Sequence, residues 1–104
     1  TASYTNRIHR DDAAGAIAHL LALPDPEATY VGVDEDPADA AEVLRWIAER
    51  LGVALVETPA SDSLPAGSRR CRNAALRESG FRFDYPTYRE GYAALMEAAA
   101  AEAV

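Results

Sequence analysis

The segment "TNRIHRDD", Thr5 to Asp12, places one histidine, two arginines and two adjacent aspartates within eight residues. Such a set has the chemistry of a metal site or of an acid/base pair built on His9, Asp11 and Asp12. Its position argues for a structural role. The aspartates stand where a helix is expected to begin, and there an aspartate accepts from free backbone N–H groups and complements the positive helix end. A metal also needs a third or fourth ligand, and His19 is the only other histidine. "HRD" matches a protein-kinase catalytic loop in part, but Ala16 stands where the metal-binding asparagine belongs.

Two further groups have binding chemistry. "SRRCRN", Ser68 to Asn73, carries Arg69, Arg70 and Arg72 in an otherwise acidic chain. Arginine forks hold phosphate or carboxylate at two points, and the cluster lies between a long loop and an expected helix start. In "DYPTYREGY", Asp84 to Tyr92, Tyr88 and Tyr92 are one helical turn apart and are read as packing residues. Arg89 is the ligand candidate there.

Composition removes several function classes. All ten basic residues are arginine, so this chain has no lysine for a phosphate-binding loop, a Schiff base or a kinase site. The net charge of −7 argues against nucleic acid as main partner. The single Cys71 has no internal disulfide partner, no stretch has the character of a membrane span, and Thr1–Tyr4 shows no signal peptide. A reduced, cytoplasmic setting is expected. The missing initiator methionine suggests processing, truncation or trimming of a longer product. No glycine-rich dinucleotide loop, Gly-x-Ser-x-Gly or His-Glu-x-x-His is present.

The elements that must position these groups follow from pattern. Tyr4 to His9, Thr29 to Val33 and Val53 to Val56 read as short strands. A first helix follows Asp11 or Asp12, with Ala13, Ala14, Ile17, Ala18, Leu20 and Leu21 on its apolar face, and "PDP" ends it. A second is expected from an Asp36 cap and Pro37 to Gly52, with Ala40, Val43, Leu44, Ile47 and Leu51 on one face. "ETPASDSLPAGS" is a loop by composition. Asn73 caps a short third helix stopped by Gly80, and Pro86 opens a fourth whose alanine-rich end frays. The expectation is one α/β (α+β) domain over residues 1–104, with few short strands and about four helices. So small a sheet is expected to lean on something else.

Three segments, "TNRIHRDDAAGAIAHLL", "TYVGVDEDPADAAEVLRWIAERLG" and "SRRCRNAALRESGFRFDYPTYREGY", resemble in order and spacing the C-terminal part of NAD(P)-dependent sugar epimerase/dehydratase-like proteins. These are extended short-chain dehydrogenases/reductases. The likeness is closest to a bacterial branch with "TNRIH-x-DD" and a terminal "YP-x-YREG". It covers nearly the whole chain and the last third or so of the family's length. It implies the substrate-binding lobe of a Rossmann-type enzyme, not catalytic by itself, with the Rossmann half missing. His9 and Asp12 would then mark a strand–helix junction near the substrate cleft, with Asp12 as a helix cap. Asn6, Arg7, His9 and the Arg69, Arg70 and Arg72 cluster would line the substrate side, the arginines on phosphates of a nucleotide-sugar.

NAD or NADP would be bound by the missing half. The family's glycine-rich loop and its Ser/Thr and Tyr-x-x-x-Lys groups have no counterpart here. Thr5 stands where many relatives carry a substrate-facing arginine. The competing reading is a stand-alone, non-catalytic binding or interaction module, as a monomer or homodimer. The two readings differ in a visible way: a lobe leaves an apolar face uncovered, on the first or last helix, and a module closes its core.

Overall fold

The computed structural model describes residues 2–56 and 68–102. Four helices are present: α1 (Arg10–Leu21), α2 (Ala40–Leu51), α3 (Ala74–Glu78) and α4 (Tyr88–Glu102). Most of the "ETPASDSLPAGS" segment lies outside the described residues.

The expected sheet is not there, and the α/β assignment is corrected to a helical fold. Among the described residues the β-type pairing is one isolated antiparallel bridge, Tyr4 with Asp39. The physical reason lies in where the backbone groups of the expected strands go. Thr5 donates to the Ala38 carbonyl and Ala40 to that of Ser3, both at 2.8 Å. Two residues beyond Thr5, the Arg7 carbonyl accepts from the Asp34 N–H at 2.7 Å. Tyr4 N–H donates to the Ser68 hydroxyl. The segment touches three different stretches, a bond or two at a time, and so builds no ladder. Thr29 to Val33 and Val53 to Val56 likewise form no strand.

α1 begins on His9, not on either aspartate. His9 is extended (φ −64°, ψ 142°), and its Nδ1 accepts from the Asp11 N–H at 3.0 Å. An imidazole thus does the capping ordinarily left to Ser, Thr, Asp or Asn. α2 starts three residues later than Pro37 suggests, with Asp39 at the cap position and its carboxylate accepting from Ser3 N–H at 2.7 Å. That bond and the bridge keep residues 36–39 extended. Gly52 ends α2 in the left-handed region, φ 68°, as its place in the pattern predicts. Gly52→Ala is expected to cost about 1 kcal/mol of stability in a denaturant melt.

α2 and α4 pack on each other. Their core joins Ala38, Val43 and Tyr88, flanked by Trp46, Ile47 and Tyr92. Trp46 meets Tyr88 edge-on at 5.6 Å and carries Arg50 over its face at 5.2 Å. Thr87 opens α4: its hydroxyl accepts from Arg89 N–H and donates to Glu90, the Thr-x-x-Glu pattern of a helix start.

The whole is a plate, 50 × 39 × 15 Å, little more than one helix thick. Its radius of gyration is 16.0 Å, against about 13 Å for a compact domain of this length. The consequence is exposed apolar surface. Ile17 and Leu21, one turn apart on α1, are 61% and 83% exposed. Leu44 and Leu51 on α2, Leu95 on α4 and Val53, Leu55 and Val56 beyond α2 are exposed as well. The apolar face expected on α1 therefore exists and is uncovered. Among the described residues no helix is long and apolar enough to cross a membrane.

Candidate functional site

The N-terminal segment, the turn at Asp34 and the start of α4 enclose a cavity of about 140 Å³. Arg7, His9, Asp34, Thr87, Tyr88 and Leu95 are among its walls. Each is placed by a bond already built into the chain. The Asp34 N–H holds the Arg7 carbonyl, and Glu35 N–H donates to the Pro86 carbonyl at 2.9 Å. These two bonds tie the turn to both of the other walls.

Asp12 fixes the third side. It is 2% exposed, and its two carboxylate oxygens accept from the N–H groups of Asp84 and Tyr85, at 2.9 and 2.8 Å. It does not cap α1. It latches the approach to α4 against the first turn of α1, which holds Tyr85 stacked on His9, with centroids 3.8 Å apart and planes 18° from parallel. Both Asp12 oxygens are thereby engaged by backbone donors. His9 accepts through Nδ1, so its ring proton sits on Nε2.

Arg7 and Asp34 carry the electrostatics. One Arg7 guanidinium nitrogen, Nη2, donates to the Thr5 hydroxyl, and the guanidinium lies 5.7 Å from the Tyr88 ring centre. The other nitrogen, Nη1, is buried without a hydrogen-bond partner among the described residues. Asp34 is 4% exposed. Burial pushes its carboxyl up to about 6, reinforced by the charges of Asp36 and Glu90 and opposed by the Asp36 N–H and by Arg7. Tyr88 closes the floor. Its hydroxyl donates to Glu42 at 3.0 Å, and burial with that bond raises its pKa above the usual tyrosine value.

The Asp34 shift has a consequence for stability. The folded state holds this proton more tightly than the unfolded chain, whose value is near 3.8. The contribution of Asp34 is therefore full below about pH 4 and is lost as pH rises through about 6. Asp34→Asn is expected to stabilise the protein by about 3 kcal/mol at most above pH 7, with the advantage vanishing near pH 4. Melts of both proteins across that range test this, and a constant difference would contradict it.

The other residues singled out from sequence are distributed differently. Asn6 does not face a ligand. Its side chain donates to the Arg69 carbonyl and accepts from the Cys71 N–H, at 2.8 and 2.9 Å, and so clamps the arginine loop to the N-terminal segment. Arg69, Arg70 and Arg72 are exposed and stand outside the cavity walls, with Arg70 over the Tyr4 ring at 4.4 Å. The helix after them, α3, has five residues and a correspondingly small dipole. Asn73 sits at its cap position but donates instead to the Val33 carbonyl. Arg89 is drawn toward Asp36 and Glu42, at 3.9 and 3.8 Å, and over the Tyr88 ring at 4.7 Å. Of the seven candidates, then, Arg7 and His9 come together. Asp34 and Tyr88 join them, and neither had been read as a site residue.

A larger hollow, about 590 Å³, lies beside α3 between Phe81, Phe83 and Arg77. Size does not make it the better candidate. Its Arg77 is already paired with Glu35 at 2.8 Å, whereas the smaller cavity is walled by Arg7, whose buried Nη1 has no hydrogen-bond partner among the described residues.

The chain is similar to part of a larger protein. A solved structure, described as that of a functionally unknown conserved protein from Silicibacter pomeroyi DSS, matches with a TM-score of 0.78 and 33% identity. The match covers 91% of this chain and 37% of that one. No family model and no curated protein matches.

Proposed function

We propose that this chain is the substrate-side portion of a larger NAD(P)-dependent enzyme of the sugar epimerase/dehydratase type, and that Arg7 and His9 contact the substrate. The observation that carries the reading is the uncovered apolar surface on a plate about one helix thick, centred on Ile17 and Leu21. A self-sufficient domain of this size closes over such residues. The match to 37% of a longer solved protein supports the same reading.

The division of labour follows from the residues present. The nicotinamide cofactor supplies hydride transfer when bound, and its site belongs to the part outside these residues. The described cavity contributes neutral and cationic hydrogen-bond donors, from His9 and Arg7, and an aromatic floor. Those groups position a substrate. They do not themselves form or break its bonds.

The test is kinetic and uses the product in which these residues naturally occur. It should bind NADH or NADPH, and Arg7→Ala should raise KM for its substrate about tenfold or more while leaving dinucleotide affinity unchanged. A product that binds no dinucleotide would overturn the proposal in favour of a stand-alone binding module.

A further inference from the structure

We propose that the cavity between Arg7, His9 and Asp34 is an acid-gated site for a small carboxylate, in which Arg7 holds the anion and Asp34 is the built-in negative charge that competes with it. This names the ligand chemistry of the site put forward above and rests on that reading for its place in catalysis.

The case begins with Arg7. Its Nη2 is engaged by the Thr5 hydroxyl and its flat face lies toward Tyr88, so the guanidinium is held in place. Its Nη1 is buried and donates to nothing among the described residues. A buried charged donor without an acceptor is costly, and the group that relieves it is an oxygen acceptor, best an anionic one. No carboxylate of the described residues forms an ion pair with it: the arginine pairs are those of Arg10, Arg77 and Arg89. His9 adds a neutral Nε2–H on the same cavity wall, because its Nδ1 is committed to Asp11 N–H.

Size and charge select the anion. The cavity, about 140 Å³, suits a carboxylate on a two- or three-carbon fragment. Asp34, itself beside the charges of Asp36 and Glu90, shares the cavity wall with Arg7, and that negative surrounding penalises a phosphate dianion more than a monoanion.

Asp34 supplies the gate. The groups facing it are Arg7 and His9 from the N-terminal segment, Asp36 from its own turn, and Tyr88 and Glu90 from α4. Arg89 is turned to Asp36 and Glu42. While Asp34 is ionised it lowers the potential at Arg7 and repels an incoming anion. Once protonated it does neither, and it gains an O–H that can donate to the ligand. Burial holds this transition near pH 6 instead of the ordinary carboxylate range.

The experiment titrates the full chain with glycolate at constant ionic strength, following the Arg7 side-chain N–H and the Asp34 and Tyr88 amides by NMR. Saturable shifts are expected at about pH 5, with affinity about tenfold or more weaker at pH 8. Asp34→Asn should bind equally at both pH values. Arg7→Met should bind at neither while keeping a dispersed spectrum. Inorganic phosphate should bind more weakly than glycolate to the parent protein. Three results overturn the proposal: no saturable shift at pH 5 in a folded protein, phosphate preferred over glycolate, or pH dependence persisting in Asp34→Asn. Because the titration uses no dinucleotide, glycolate binding with failed NAD(P)H binding rejects the oxidoreductase reading and leaves the site standing. The reverse pair of results rejects the site alone.

Discussion

Asp12→Ala is expected to lower stability by about 3–5 kcal/mol, which is most of what a small domain has. The carboxylate accepts from two consecutive backbone N–H groups, Asp84 and Tyr85, in a place that is 2% exposed. Alanine leaves two part-buried donors without their acceptor, and charge-assisted bonds are the stronger kind. The damage should spread. Released from Asp12, the Tyr85 ring loses its stack on His9, and His9 both caps α1 and walls the cavity. Asp12→Asn keeps one acceptor oxygen and should cost about half as much. Urea melts of the two variants give the test. A loss under about 1 kcal/mol for alanine would show that Asp12 is the ordinary helix cap that sequence position suggests.

Tyr88→Ala is the second large effect, with an expected loss of about 3–5 kcal/mol. Tyr88 is 1% exposed and touches most of what this thin core contains: Trp46 edge-on, the Arg7 and Arg89 guanidinium groups, and Glu42 through its hydroxyl. Tyr88→Phe separates the ring from the hydroxyl. It should cost about 1 kcal/mol, the worth of the bond to Glu42, and should leave glycolate binding intact, because the ring and not the hydroxyl faces the cavity chemistry. A phenylalanine variant as unstable as alanine would place the energy in the Glu42 bond instead.

The contrast between these residues shows what local pattern could and could not convey. Apolar periodicity together with cap and breaker residues located the four helices of the described residues, and Gly52 marked the end of α2 because a left-handed cap is a local requirement. The strands were misread for an equally local reason. "TYVGV" has β-branched composition, but a strand exists only with a neighbour, and the bonding groups of Tyr4 to His9 are spent singly on Ala38, Asp34 and Ser68. Asp12 was taken as a helix cap, but its partners are more than seventy residues away, at Asp84 and Tyr85, beyond the reach of any capping pattern. Arg7 and His9 were visible as chemistry-bearing residues within one motif. Asp34 was not, because "DED" reads as a solvated acidic run, and only the fold buries its first member. The arginine cluster stood out by composition and proved to be exposed, clamped through its backbone by Asn6.

The central claim is that this plate is completed by further polypeptide packed on the Ile17–Leu21 face. The most direct measurement is the intact mass of the native product that carries these residues, taken from cells without proteolysis. The account predicts a mass exceeding that of the 104 residues by at least a nucleotide-binding domain. A native product with the mass of these residues alone, monomeric and stable, would contradict it.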